Sequence, residues 1–390
     1  MPPHDLTEFG DLPVRDDEAM RRAIELAHAA RRRVGRWPHV GCVLVRDGRV
    51  VGEGATGEFP VGPHAEVAAL TAAGDRGAEG ATAYTTLEPC DHDGNTPPCT
   101  EALIAAGVTR VVSALEDPDP KVSGRGFDRL RTAGIEVQVG AEAAAAASQL
   151  AAYLHHRRTG RALCVVKVAT SLDGRIAAAD GSSRWITGAE ARADAHDLRA
   201  DSQAIVVGSG TALADDPALT VRDASDPRPA GPPLRVLLDA RGRAPATLAL
   251  GDTSIAPTLI VTTDQAPRAA VDAWRERGAE VEVVPFQRDA HGSGVDLVAT
   301  LELLGRRDVL QAMIEGGSHL HGALLGAGLV DRLVAYVANT LLGSRGVPGY
   351  GVAGPDTIAG AERFVLQSVR RLGDDIRVEY LATDSDPGRS

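Results

Sequence analysis

The chain has 390 residues, 44% of them apolar and 24% charged, values that exclude a disordered or fibrous protein. That length suits two domains of about 150 to 220 residues each. A formal net charge of −12 with no long Lys/Arg block excludes a broad phosphate-tracking surface, so no nucleic-acid partner is expected.

The opening "MPPHDLTEFGDLPVRDDEAM" has no basic segment followed by an apolar one, and no apolar run approaches the roughly 18 residues that span a bilayer. Four cysteines are too few for a disulfide scaffold, and the expected location is the reducing cytoplasm. Asp16 or Asp17 can cap a helix through "EAMRRAIELAHAARRRV", and "RRRVGR" reads as cations at its C-terminus. "HVGCVLVRDGRVVGEG" predicts a hairpin that turns at Asp47-Gly48. Then come helix "HAEVAALTAAG", strand "ATAYTTL", helix "PPCTEALIAAG", strand "VTRVVSAL", helix "GFDRLRTAG" and strand "IEVQVG". This alternation predicts a three-layer α/β domain ending near Gly140. The alanine-rich "AEAAAAASQLAAYLHHRRTGR" is a helical bridge, which gives a first domain of residues 1–146, a linker of 147–161 and a second domain of 162–390. Strands and helices alternate afresh beyond it, from "ALCVVKVAT" to "DRLVAYVAN", and predict a second α/β domain.

Chemistry concentrates at His64 and Glu66, which open a predicted helix after a Gly-Pro turn, and at Pro89-Cys90 and Pro98-Cys99, read as two further helix starts. One imidazole and two thiols at loop-to-helix junctions match a catalytic zinc site that keeps a fourth position for water. Helix N-termini favour the thiolate that binds metal. Glu66 would move protons, following the H-x-E and P-C logic of zinc deaminases. His92 lies in the loop between the cysteines and is set aside as a ligand.

"HAEVAAL", "TTLEPCDHDGNTPPC", "DPDPKVSGRGFDRLRTAGIEV" and "KVATSLDGRIAAADGSSRWITG" resemble the bifunctional deaminase/reductase family of riboflavin biosynthesis, from about residue 17 to about residue 345. The eight residues between Cys90 and Cys99 fit this branch better than the C-x-x-C deaminases. The resemblance implies a cytidine-deaminase-like α/β/α domain followed by a dihydrofolate-reductase-like α/β domain. It implies one Zn2+ per chain on His64, Cys90 and Cys99, with Glu66 as proton carrier. It also implies NADPH, phosphoribosyl pyrimidine substrates, hydride transfer to ribose C1 and a homo-oligomer.

Two positions depart from the family pattern. The family usually has Asn between two prolines where this chain reads "RWPHVG" with His39, and Tyr-His where it has Ala55-Thr56. Both would line the deaminase pocket, so the alternative is a paralogue acting on a different aminated pyrimidine or pterin.

In the second half, "GSGTAL" lacks the last glycine of a dinucleotide fingerprint. "IEGGSHLHGALLGAG" runs a strand through Gly316-Gly317 into a helix start, where free N–H groups can meet an anion. The resemblance implies that Ala169, Trp185, Thr211, Asp215 and the turn and helix Gly317, Ser318, His319, Leu320, His321, Gly322 and Ala323 hold the cofactor. It implies that Ser183, Arg199, Leu219, Arg222 and Glu315 hold the substrate. Arg199 and Arg222 suit a phosphate, Trp185 offers a planar face, and His319 and His321 are expected on the helix surface. Lys167, inside an apolar strand, needs a partner or a function.

Overall fold

A computed structural model describes residues 14–92, 97–222, 231–289, 292–351, 354 and 356–383. Contacts divide the chain into one unit that runs to Arg158 and another that begins at Thr159.

In the first unit the elements are α1 (Asp16–Ala30), β1 (Gly41–Arg46), β2 (Arg49–Ala55), α2 (Ala65–Ala73), β3 (Thr82–Thr85), α3 (Cys99–Ala105), β4 (Arg110–Ser113), α4 (Arg125–Thr132), β5 (Glu136–Val139), α5 (Ala143–Gln149) and α6 (Ala151–Thr159). The sheet order is β2-β1-β3-β4-β5, with β1 antiparallel to β2 and β3, and β3, β4 and β5 parallel. The hairpin turns on positive φ angles at Asp47 (53°) and Gly48 (74°), the backbone a two-residue primed turn requires.

Met20 and Ala23 of α1 pack on Val43, Val45, Tyr84 and Val112, and Ala146 of α5 joins the same core. Helix α2 lies on the other face, and glycines let it lie close. A Cβ on Gly54 would fall 2.4 Å from Ala65 O and 2.4 Å from Ala69 N, and one on Gly52 would fall 2.3 Å from Ala69 O. Helix α1 is capped otherwise than its acids suggest. Its N-cap is Arg15, whose N–H donates to Glu18 at 3.2 Å, while Asp16 accepts from Tyr84 Oη at 2.6 Å and Arg110 Nη2 at 2.7 Å. The helix stops at Ala30, and Arg31 and Arg33 donate to its last carbonyls at His28 and Ala29.

The second unit has β6 (Leu163–Thr170), β7 (Arg175–Ala177), α7 (Ala189–Ala200), β8 (Ala204–Gly208), α8 (Ser209–Asp215), β9 (Leu234–Leu238), β10 (Thr258–Thr262), α9 (Arg268–Glu276), β11 (Glu280–Val283), β12 (Phe286–Asp289) and β13 (Gly292–Val295). It continues with α10 (Leu297–Arg306), β14 (Gln311–Ile314), α11 (Ser318–Gly326), β15 (Arg332–Val337), β16 (Val347–Pro348), β17 (Phe364–Leu372) and β18 (Asp375–Ala382). Nine strands form one sheet, ordered β11-β10-β9-β8-β14-β6-β15-β18-β17. It is parallel from β11 to β15 and ends in the antiparallel β17–β18 hairpin.

Strand periodicity builds two cores on this sheet. Val206, Val236, Leu238 and Leu259 face Leu301, Leu304 and Leu324, whereas Ile205, Val207, Leu237 and Ile260 face Leu250 and Trp274. Strands buried on both faces read as continuous apolar runs, which is why "SQAIVVGSG" and "PTLIVTT" show no alternation.

Candidate active sites

His64 is the N-cap of α2, and Glu66, in its first turn, is only 3% exposed. Cys99 is the first residue of α3, with Pro98 as N-cap. Cys90 does not begin a helix: residues 86–92 after β3 are irregular. Two bonds fold this loop onto the first turn of α3, Thr100 N–H to Cys90 O at 3.2 Å and Thr100 Oγ1 to Asp91 Oδ1 at 2.6 Å.

His64 Nδ1 lies 3.2 Å from Cys99 Sγ and 3.5 Å from Cys90 Sγ, and the three donor atoms all fall within 4.8 Å of one another. Zinc bonds of about 2.0 Å to nitrogen and 2.3 Å to sulfur at tetrahedral angles put donors about 3.5 to 3.8 Å apart, so this set fits a tetrahedral zinc ion with one position open. Among the described residues this is the one such His/Cys/Asp/Glu group, and His92 is outside it.

The electrostatics suit a cation. The hydrogen bond from the Cys99 thiol brings Cys90 well below the usual thiol range, while the same bond and burial push Cys99 well up. His64 is raised, chiefly by its hydrogen bond to Cys90. Burial first, then the charge of Cys90, lifts the Glu66 carboxyl to about 7 against the opposing pull of His64.

Glu88, which sequence reasoning missed, organises the loop that carries Cys90. It is 4% exposed, and its carboxylate accepts the N–H groups of Asp117 at 3.2 Å, Gly124 at 3.0 Å, Gly126 at 2.9 Å and Phe127 at 3.4 Å. Gly126 sits so close that a Cβ there would lie 2.0 Å from Pro89 O. A carboxylate at the end of the apolar run "ATAYTTL" was the available signal, since such a group must find donors. Beside it, burial pushes Asp117 up to about 6 while its two oxygens accept the Tyr153 hydroxyl at 3.1 Å each.

The polar groups of the two departing positions bond to the fold itself. His39 Nε2 is 3.1 Å from Gln149 O, and the Thr56 hydroxyl accepts from Val40 N–H at 3.0 Å and donates to Pro38 O at 3.2 Å.

In the second unit, β8, β14 and β6 are adjacent and parallel, so their carboxyl ends share one edge of the sheet. Ligands bind at such edges in α/β sheets. Ala169 lies near the end of β6, Glu315 follows β14, and Thr211 lies in the first turn of α8 after β8. Gly317, the N-cap of α11, would put a Cβ 3.4 Å from Thr211 Oγ1, so two expected cofactor positions are neighbours. Arg184 donates to Asp215 O at 3.0 Å, which ties the loop of Ser183 and Trp185 to α8. Trp185 is 70% exposed, with the Arg192 guanidinium 4.7 Å from its ring centre.

Arg199 and Glu315 pair with each other. Two parallel hydrogen bonds join them, Nη2 to Oε2 at 2.8 Å and Nε to Oε1, and Nη1 donates to Thr220 O at 2.9 Å. Burial alone would raise the Glu315 carboxyl, but Arg199, with Lys167 and His196 behind it, brings it down to about 2. Lys167, held below its usual range by burial and by Arg199, has Nζ 5.8 Å from the Tyr336 ring centre.

Leu219 is 3% exposed with φ 49°, so it is packed into the core. Arg222 is exposed, and its N–H donates to His196 Nδ1 at 3.2 Å. His319 is exposed, Ser318, Leu320 and Ala323 are half-buried, and Gly322 packs against Gly351. His321 is not on the surface: it is 1% exposed, with Nδ1 3.1 Å from Gly349 O, and burial pushes it down to about 4. It faces inward because α11 packs on residues 349–351, a contact no helical periodicity reveals.

A family model described as the cytidine and deoxycytidylate deaminase zinc-binding region matches residues 13–115, and one described as the RibD C-terminal domain matches residues 162–378. The riboflavin biosynthesis protein RibD of Escherichia coli is 41% identical over 375 residues, covering 93% of this chain and 98% of that protein. RibD of Mycobacterium tuberculosis is 41% identical over 368 residues, covering 94% and 97%. Among solved structures, Acinetobacter baumannii RibD superimposes with a TM-score of 0.84 at 38% identity, covering 95% of this chain and 99% of that one. A Thermotoga maritima diaminohydroxyphosphoribosylaminopyrimidine deaminase/5-amino-6-(5-phosphoribosylamino)uracil reductase gives 0.80 at 30% identity, covering 94% and 99%.

Proposed function

This chain belongs to the RibD family of bifunctional riboflavin-biosynthesis enzymes, and on that premise we propose how its residues divide the work. The enzyme deaminates 2,5-diamino-6-(5-phosphoribosylamino)pyrimidin-4(3H)-one hydrolytically, with zinc. With NADPH it then reduces the ribosyl side chain of 5-amino-6-(5-phosphoribosylamino)uracil to ribityl. We assign the deaminase to residues 1–146, a helical linker to 147–161 and the reductase to 162–390.

The observation that carries the first activity is the cluster of His64, Cys90 and Cys99 donor atoms within 4.8 Å, with Glu66 buried two residues after His64. His64, Cys90 and Cys99 hold the metal. Zinc supplies a Lewis acid that activates water near neutral pH. Glu66 takes one proton from the attacking water and hands it to the ring nitrogen, then carries the second, from the added hydroxyl, to the amino group that leaves as ammonia. Its burial supports this role, because in the metal-free protein burial raises the carboxyl above its ordinary range, toward that of a group which can take up and give back a proton.

For the second activity, NADPH supplies hydride to ribose C1. Ala169, Thr211, Asp215 and the turn from Gly317 to Ala323 hold the cofactor, and the exposed Trp185 face covers it. Ser183, Arg199, Arg222, Glu315 and the backbone at Leu219 hold the substrate. Arg222, exposed in its loop, is the cation for the substrate phosphate, whereas Arg199 is committed to Glu315 and orients that carboxylate. The two cysteines outside the metal group, Cys42 and Cys164, are buried thiols, which supports a cytoplasmic location. Edge strand β17 exposes Val365 (54%), Leu366 (53%) and Val369 (58%), which supports a homo-oligomer.

A two-step assay with purified protein, zinc and NADPH tests this reading, following ammonia from the diaminopyrimidine and then loss of NADPH absorbance. Ammonia release by Glu66→Gln at the wild-type rate would refute the proton-carrier role. Arg222→Ala is expected to weaken only the second step; equal loss of both steps would refute its assignment.

A further inference from the structure

Next to the metal donors stands a pair of aromatic rings. The Trp37 ring lies 6.2 Å from the His64 imidazole, centre to centre and at 69°, and Phe59 meets Trp37 edge to face at 5.1 Å and 75°. Trp37 comes from the chain between α1 and β1, and Phe59 from the chain between β2 and α2. The two segments are tied by the Phe59 N–H donating to Arg33 O at 3.0 Å. Gly35, at φ 59°, packs against Phe59 so closely that a Cβ would lie 3.2 Å from the ring. The Arg36 guanidinium lies 5.3 Å from the centre of the same ring.

These rings are not core filler. Only 3% of the chain is aromatic, the first unit packs its interior mainly with Ala, Val and Leu, and both rings are only half-buried. An aminated ring placed with its amine-bearing carbon near Glu66 and the metal donors lies close to His64, the imidazole that Trp37 flanks. The polar groups of His39 and Thr56 are engaged by Gln149, Val40 and Pro38. An apolar, flat contact is therefore what this side of the site has to offer a heterocycle.

We propose that Trp37, braced by Phe59, is a specificity-determining wall of the deaminase site, against which the heteroaromatic ring of the aminopyrimidine packs. This deepens the function proposed above and rests on it. Stacking on one aromatic side chain is worth enough that Trp37→Ala is expected to raise the deaminase KM at least about fivefold, with kcat within about threefold. Trp37→Phe, which keeps a flat face, is expected to hold KM within about threefold of wild type. Zinc content is expected to stay at one ion per chain in both variants, and the reductase rate on the phosphoribosylaminouracil to stay unchanged.

A binding readout completes the test. Titrating the diaminopyrimidine into Glu66→Gln without NADPH is expected to quench tryptophan fluorescence, and the quench is expected to vanish in Glu66→Gln/Trp37→Phe. An unchanged KM in Trp37→Ala overturns the proposal. So does loss of zinc and kcat together at constant KM, which would make Trp37 a support for His64 alone. A wild-type enzyme that releases no ammonia from this pyrimidine overturns the function reading instead, while a wild type that turns over with Trp37→Ala unaffected overturns only the wall.

Discussion

Arg199 and Glu315, 116 residues apart in the chain, close a two-bonded fork at the carboxyl edge of the second sheet, with Nη2 to Oε2 at 2.8 Å. Their side chains are only 15% and 12% exposed. Breaking such a pair from one side strands a buried charge, at about 3 to 5 kcal/mol. Arg199→Ala is therefore expected to lower the melting temperature and cut NADPH oxidation at least about a hundredfold. Arg199→Ala/Glu315→Gln is expected to recover much of the stability and none of the activity. Equal melting temperatures for the single and double variants would show that the two residues are not coupled.

Glu66 links stability to pH in the metal-free protein. Its carboxyl is raised from 4.5 to about 7 by burial, so ionising it costs the folded state. The stability that the protonated form contributes is complete below about pH 4.5 and is lost as pH rises through about 7, a difference of order 3 kcal/mol. Glu66→Gln removes the ionisation. Thermal unfolding of metal-free protein is expected to show the variant gaining on wild type between pH 5 and pH 8, and a constant difference across that range would contradict the linkage.

Removing zinc separates the two activities. Prolonged chelation is expected to abolish ammonia release and leave NADPH oxidation of the phosphoribosylaminouracil within about twofold, since the donors and the reductase residues belong to different contact units. Parallel loss of both rates on chelation would mean that the metal also supports the reductase fold.

Glu88→Ala is expected to damage the deaminase without touching a ligand. Four backbone N–H groups lose their acceptor, and each one left buried and unsatisfied costs about 1 to 3 kcal/mol, less where water enters. Competition with a chromogenic chelator is expected to show zinc affinity at least about tenfold weaker, the size of other losses of support behind metal ligands. Unchanged zinc affinity in a folded variant would limit Glu88 to stability.

The alternation of apolar runs with Gly, Pro and Asp-Gly turns made both α/β domains readable, because those signals are local. His64, Glu66 and Cys99 were readable for the same reason: each sits at a helix start written in neighbouring residues. Cys90 was read as a helix start because Pro-Cys has that form, yet its loop is set by Thr100 and by Glu88, whose own donors at Asp117, Gly124, Gly126 and Phe127 lie about 30 to 40 residues further on. His321 was misread because its burial depends on residues 349–351. The β17–β18 hairpin escaped notice as well, since an edge strand with an exposed face has a weak apolar pattern.

The close fit of α2 on β2 has a further meaning for how this enzyme can fail. Gly54 and Gly52 supply no reacting group, yet a single methyl group on Gly54 would collide with the backbone of Ala65 and Ala69 at 2.4 Å and push α2 away from the sheet. His64 and Glu66 ride on that helix, whereas Cys90 and Cys99 do not. A substitution as mild as glycine to alanine would thus pull one half of the chemistry away from the other, so inherited loss of deamination can arise from residues that no inspection of the reacting groups would select.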